Sequence, residues 1–234
     1  MSLSGFRVLS FDCYGTLIDW ESGILTALRP LLHRAGVTLD DEAALSAFAA
    51  QEAARQAEAP AMRYAALLSL VHGRLAAAWG ADGDPAENAR FGASIGDWPA
   101  FPDTVAALRS LQQRHRLVIL SNVDRESFRA TQQRLGVTFD AIHTAEDIGS
   151  YKPDRRNFEY LLARLAEDGF QKSDLLHVAQ SLFHDHAPAN TLGIASAWID
   201  RRHGKSGWGA TVPPPPGVRH DFRFRTLEEL AAAM

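Results

Sequence analysis

The sequence predicts an α/β fold: a doubly wound parallel sheet carrying an inserted all-helical cap domain. Three observations lead there. Short apolar runs that end in polar residues recur at 6–11 (FRVLSF), 117–120 (LVIL), 175–179 (LLHVA) and 195–199. Segments with helical spacing lie between them, and such alternation builds a parallel sheet with helices on both faces. One long stretch, from Glu21 to about Phe91, carries helical spacing alone.

The elements follow in order. Residues 6–11 read as a buried strand ending at Asp12, and Gly15 supplies the turn after it. In the insert, Ile24, Leu25, Leu28, Leu31 and Leu32 mark one helix. Ala44, Leu45, Phe48 and Ala49 mark a second, and Tyr64, Leu67, Leu68, Val71, Leu75 and Trp79 a third. Helical inserts of this size often form lids. The expected domains are therefore a core of residues 1–17 and 97–234 and a cap of residues 18–96. After Trp98-Pro99 come a helix at 104–113, the strand 117–120, and a helix at 125–135 closed by Gly136. A helix at 154–167, the strand 175–179, a short helix at 187–192 and the strand 195–199 follow. A last short strand is expected at 221–224 and a final helix at 227–233. The proline run 213–216 reads as a stiff extended spacer.

Composition narrows the function. With 46% hydrophobic and 22% charged residues in 234, the chain has the make-up of a globular protein. A net charge of −4 and no long basic run argue against nucleic acid or an anionic membrane as partner. The N-terminus lacks the pattern of a signal peptide, and no apolar run approaches a membrane span. The single cysteine, Cys13, permits no intrachain disulfide. A cytoplasmic location is the expectation.

Active sites of open parallel sheets lie beyond the carboxyl ends of the strands. The polar residues at those ends are Asp12 and Thr16, Ser121 and Asn122, Lys152, and Gln180, Ser181 and Asp185. They fall in D-x-Y-G-T-L (12–17), L-S-N (120–122), Y-K-P-D (151–154) and a degenerate segment at 178–185. In this order and strand context the four motifs resemble those of the haloacid dehalogenase superfamily. The resemblance covers the whole chain and puts the helical insert where the family's cap sits.

Two positions sort the chain within that superfamily. Its phosphatases carry a second aspartate two residues after the first, to protonate a leaving alkoxide; this chain has Tyr14. They also carry an acidic magnesium ligand near Gln180, and magnesium prefers anionic oxygens. The chain thus resembles the type II, L-2-haloacid dehalogenase branch, which uses no metal and no cofactor. The resemblance implies that Asp12 attacks the α-carbon of a small carboxylic acid and that water hydrolyses the resulting ester. It implies catalytic roles for Lys152, which keeps Asp12 ionised, and for Asp185. Cys13, Tyr14, Thr16, Trp20, Ser121, Asn122 and Gln180 are the expected substrate-binding residues. Trp20 and the cap residues Arg29, Arg55, Arg63 and Arg74 are candidates for holding the leaving group.

The chain departs from the haloacid enzymes in several places. It has Phe158 where they carry tyrosine, Gln180 and Leu182 where they carry serine and asparagine, and alanines in place of their leaving-group arginine. The stretch 11–21 (FDCYGTLIDWE) is also similar to relatives that open the ring of azetidine-2-carboxylate. Halide and ring nitrogen both remain open as leaving groups. A small-molecule phosphatase and a non-catalytic carboxylate-binding module are the alternatives. His184 and His186 flank Asp185 without the helical i, i+4 spacing of a metal pair, so no metal is expected there. Family resemblance suggests a homodimer.

Overall fold

The structure, a computed structural model, describes residues 2–234. Strands β1 (Val8–Phe11), β2 (Arg116–Ser121), β3 (Ala141–Thr144), β4 (Leu175–Ala179), β5 (Ala195–Ile199) and β6 (Phe222–Phe224) form one sheet. Its order is β3-β2-β1-β4-β5-β6, and every pairing is parallel. The central strands read as nearly continuous apolar runs because both faces are covered. Leu9, Phe11, Leu117 and Ile119 enter one buried cluster, and Val8, Val118 and Leu120 enter another with Phe158, Leu161 and Leu165. Strand alternation therefore feeds two cores, one on each side of the sheet.

The core helices are α5 (Thr104–Leu111), α6 (Arg125–Leu135), α7 (Ala145–Ile148), α8 (Arg156–Glu167), α9 (Ala187–Leu192) and α10 (Leu227–Ala233). The inserted cap consists of α1 (Trp20–Ala35), α2 (Asp41–Glu58), α3 (Tyr64–Ala78) and α4 (Pro85–Ala93). Asp19, Asp40 and Asp84 cap α1, α2 and α4 by accepting backbone N–H bonds that the first turn leaves open.

Three elements were not expected from the sequence. α4 starts at Pro85 under an Asp84 cap, in a mostly polar stretch without the apolar spacing of the other cap helices. β3 is a four-residue, half-buried edge strand, too short for a clear period, and α7 is one turn held by a Thr144–Asp147 capping box. The expected helix starting at Asp154 begins two residues later, because Asp154 accepts from the Arg156 amide instead of continuing the spiral.

The cap packs closely on the core. Gly23 of α1 lies against Trp98, and an added Cβ would sit 2.3 Å from the indole. Arg202 pairs with Glu21 and Glu42 of the cap. Arg63 pairs with Glu146, and Tyr151 donates to the Met62 carbonyl. Among the described residues, no helix is long and apolar enough to cross a membrane.

Candidate active site

The strand order reverses between β1 and β4, and the crevice beyond their carboxyl ends is the expected place for a ligand. Asp12 follows β1, Ser121 ends β2, and 180–185 follow β4. At their centre is Lys152, buried to 1% exposure. Its ammonium donates to Asp12 Oδ1 (2.9 Å), Asp185 Oδ1 (2.7 Å) and the Leu120 carbonyl (2.9 Å). All three of its protons are thereby committed. The second Asp12 oxygen accepts from Thr16 Oγ1 at 2.7 Å, and Thr16 Oγ1 accepts from the Gln180 amide at 2.9 Å.

The neighbouring groups hold this cluster in place. Asn122 clasps the Lys152 backbone, donating to its carbonyl (2.9 Å) and accepting from its amide (2.7 Å). His177 Nε2 meets Asp185 Oδ1 at 2.9 Å, and its Nδ1 meets Ser10 Oγ at 2.8 Å. Ser10 and His177 are register partners on β1 and β4. Arg201 donates to the Thr16 carbonyl (2.9 and 3.1 Å) and pairs with both oxygens of Asp103, which fixes the turn after Asp12.

Two carboxylates share one ammonium, so they do not behave alike. Burial pushes Asp185 up, but Lys152 and His177 outweigh it and hold Asp185 well below the usual carboxylate range. Burial dominates at Asp12 and leaves its carboxyl raised despite Lys152 and Thr16. Burial pulls the Lys152 ammonium down, and the two carboxylates together more than restore it. Lys152 is thus paired most firmly with Asp185, and Asp12 is the carboxylate whose charge burial penalises.

A cavity of about 30 Å³ opens over Asp12. One water needs about 10–15 Å³ by the same measure, so the space admits only a small ligand. From the core side Asp12, Tyr14, Ser121, Asn122, Lys152, Ser181, His184 and Asp185 line it. From the cap side Trp20, Glu52, Gln56 and Tyr64 close it. Ser121 Oγ, Asp185 Oδ2 and His184 Nε2 are buried there without hydrogen-bond partners. The amides of Cys13, Tyr14 and Asn122 also donate to no acceptor among the described residues. A larger outer cavity of about 390 Å³, lined by Trp198, Arg202, Lys205 and Trp208, lacks any such carboxylate–lysine cluster.

A model of the haloacid dehalogenase-like hydrolases matches residues 6–179. The chain belongs to the haloacid dehalogenase-like hydrolase family. Solved structures share its fold over nearly the whole length. The defluorinating L-2-haloacid dehalogenase Rha0230 is 22% identical with a TM-score of 0.75, covering 97% of this chain and 94% of that one. The L-2-haloacid dehalogenase from Xanthobacter autotrophicus with chloropropionic acid covalently bound is 18% identical, with a TM-score of 0.78 and 97% of each chain covered. YfnB of Bacillus subtilis, bound to magnesium, is 20% identical with a TM-score of 0.76 and 97% coverage of both. At these identities the likeness is one of fold. A sequence comparison with curated proteins finds no match.

Magnesium-bound and haloacid-processing members share this fold, so the donor set must decide whether this hydrolase suits a metal. Three carboxylates line the cavity: Asp12 and Asp185 are both already bonded to Lys152, and Glu52 stands on the cap wall, accepting from Tyr64. Tyr14 brings no further carboxylate, and its hydroxyl is bonded to Thr131 at 2.8 Å. Gln180 is neutral. No group of three or more His, Cys, Asp or Glu side chains suited to a metal occurs among the described residues. These residues do not fit a magnesium ion.

The structure brings Asp12, Tyr14, Trp20, Ser121, Asn122, Lys152 and Asp185 to the cavity. The side chains of Cys13, Thr16 and Gln180 do not line it. Cys13 packs into the core, Thr16 positions Asp12, and Gln180 faces the outer cavities. The cap arginines lie elsewhere: Arg55 and Arg74 pair with Glu58, Arg63 pairs with Glu146, and Arg29 is exposed. Sequence reasoning missed Glu52, Gln56, Tyr64 and His177. The signal for the first two was available. Leu45, Phe48, Glu52 and Gln56 fall on one helical face, so two polar residues occupy positions where burial calls for apolar ones.

Proposed function

We propose that this hydrolase acts at the α-carbon of a short 2-substituted carboxylic acid, through an ester formed on Asp12 and without a divalent ion. The observation that carries the reading is the pairing of Asp12 with a fully buried lysine over a small closed cavity. Lys152 and Thr16 hold the carboxylate in one orientation, as attack on a tetrahedral carbon requires. Ser121 Oγ and the open amides of Cys13, Tyr14 and Asn122 supply donors for the substrate carboxylate. Tyr14 and Trp20 give the cavity apolar walls that limit access of water.

In the first step an Asp12 oxygen bonds to the α-carbon and the 2-substituent leaves with the bonding pair. In the second, water adds to Cγ of the ester and expels the 2-hydroxy acid, restoring Asp12. Asp185 Oδ2 has no partner and accepts a hydrogen bond from that water. With its carboxyl held low, Asp185 is a weak base, so it serves to orient the water more than to deprotonate it.

The test is a panel of 2-substituted propionates and cyclic 2-carboxylates, assayed with chelator. The expected result is turnover that survives chelation and disappears in Asp12→Asn. Phosphate-ester hydrolysis that requires magnesium, with no turnover of any carboxylic acid, would contradict it.

A further inference from the structure

Three cavities share walls in sequence. The one over Asp12 measures about 30 Å³, a middle one about 40 Å³ and the outer one about 390 Å³. Trp20 lines both the inner and the middle space. Gln180, Arg202 and Lys205 line both the middle and the outer space. No residue lines both the inner and the outer one. The middle space is therefore the link, and the Trp20 indole is the partition on the Asp12 side. Two other sizeable cavities, at Pro188 and at Asp124, share no lining residue with the inner one.

The charges along this route favour an anion. Arg201, Arg202 and Lys205 line the middle space against Asp19 and Glu21, and Arg202, Lys205 and Arg223 line the outer space against Asp200. The arginines are committed: Arg201 to Asp103, Arg202 to Glu21 and Glu42, and Arg223 to Asp200. Exposed Lys205 borders both spaces and forms no ion pair among the described residues, although its charge acts on Glu21 from a distance. The inner cavity has the opposite balance, with Asp12, Glu52 and Asp185 against Lys152. It does not draw an anion from solution by itself, and a cationic space outside it raises the local concentration of one. Leu182, Phe183, Trp198 and Trp208 give that outer space apolar walls for a carbon chain.

We propose that the outer cavity is a vestibule where Lys205 collects the carboxylate substrate, which then passes the Trp20 indole to reach Asp12. This deepens, and rests on, the reading of Asp12 as the attacking group. The partition is only lightly tied. Gly15, at φ +92°, turns the chain so tightly that an added Cβ would sit 2.9 Å from Trp20 Nε1 and 3.1 Å from Gln180 Oε1. Gln180 Oε1 is buried there without a hydrogen-bond partner. The Trp20 ring meets Phe48 at right angles, 6.2 Å between centroids. A swing of the indole therefore breaks aromatic contact but no hydrogen bond to Gln180.

The segment that carries Lys205 is fixed beside this partition. The amides of Gly209 and Ala210 donate to Glu42 and Glu21, and Arg202 binds the same two carboxylates. Lys205 is thus held near the start of α1, where Trp20 stands. Collection and selection fall to different spaces: the outer one has room for a longer acid, and the inner one admits only a short acid to Asp12.

The experiment follows the binding of racemic 2-bromopropionate by stopped-flow quenching of tryptophan fluorescence, on Asp12→Asn so that no ester forms. Bromine quenches an indole that it touches; Trp198 and Trp208 line the vestibule, and Trp20 lines the inner cavity. Cys13 is the one cysteine in the sequence and is buried, so Val212→Cys, at a half-buried position on the vestibule wall, takes a thiol label selectively. Circular dichroism verifies the fold of each variant. The expected result is two saturable phases, a fast one in the vestibule and a slower one past Trp20. Lys205→Glu weakens the fast phase about 10-fold at low ionic strength, and high salt removes the difference. A bulky aryl label on Val212→Cys abolishes both phases, whereas a methylthio label leaves them. A single phase that neither Lys205→Glu nor the bulky label changes overturns the proposal and leaves the role of Asp12 standing. A loss in Lys205→Glu that high salt does not relieve also overturns it. So does the absence of saturable quenching; if the wild type in addition turns over no 2-substituted carboxylic acid, the reading of Asp12 fails as well.

Discussion

Lys152 holds two carboxylates that have opposite energetic characters. Asp185 is held below the usual range, so its ionised form stabilises the fold above the ordinary aspartate pKa, and that contribution fades as pH falls toward the lowered value. Asp12 is raised, so its ionised form costs stability at neutral pH. Asp12→Asn is therefore expected to abolish activity while thermal stability at pH 7 holds or rises. Asp185→Asn leaves Lys152 with Asp12 alone as its counter-charge and takes the carboxylate from His177, so it is expected to lower stability, read by denaturant unfolding. The reverse ranking would refute this division of roles. The raised Asp12 carboxyl also sets an acid limb: kcat/KM falls as pH drops through a value above the ordinary aspartate range of about 3.9. Asp12, Ser121, Lys152 and Asp185 were legible in the sequence because each follows an apolar strand or sits in a short motif. Ser10 and His177 were not, because a lone polar residue inside a buried strand shows its partner only when the strand register is known.

At the scale of elements, α2 supplies the acid that faces Asp12, and it does so at a cost in stability. Glu52 is raised from 4.5 to about 7, so the stabilisation of its acid form is present below about pH 4.5 and lost as pH rises through about 7. Glu52→Gln is accordingly expected to be more stable than the wild type at pH 8, by at most about 3 kcal/mol, and equal to it near pH 4. Melting curves at the two pH values check this, and a loss of stability at pH 8 would contradict it. α1 contributes by close approach. Gly23→Ala would place a methyl group within 2.3 Å of Trp98, and an overpacked contact costs about 1–3 kcal/mol. The core elements were mostly readable: β4, β5, α6, α9 and α10 begin and end where their periodicity and end signals put them. α1, α2 and α3 were readable as elements and α4 was not, and which cap residues meet the cavity was not readable either. Helical spacing gives a buried face without saying whether that face meets other helices or a ligand.

Over the whole molecule, the site exists only where cap and core meet. Arg202 is 11% exposed in its side chain and ties the loop after β5 to Glu21 of α1 and Glu42 of α2. It lies outside the inner cavity, so Arg202→Gln is expected to raise KM and speed proteolysis near the cap junctions, with a smaller effect on kcat. An unchanged KM would show that this ion-pair network does not hold the cap closed. The two-core sheet and the inserted cap followed from the order of periodic segments, whereas closure by Arg202 joins residues about 160 to 180 positions apart and no local pattern reveals it. The most direct test of the whole account is a single turnover in heavy-oxygen water with enzyme in excess, followed by the intact mass of the protein. The expected result is one heavy oxygen gained by the chain, located at Asp12, while the first product carries ordinary oxygen. Label appearing in the first product, with none in the protein, would contradict it.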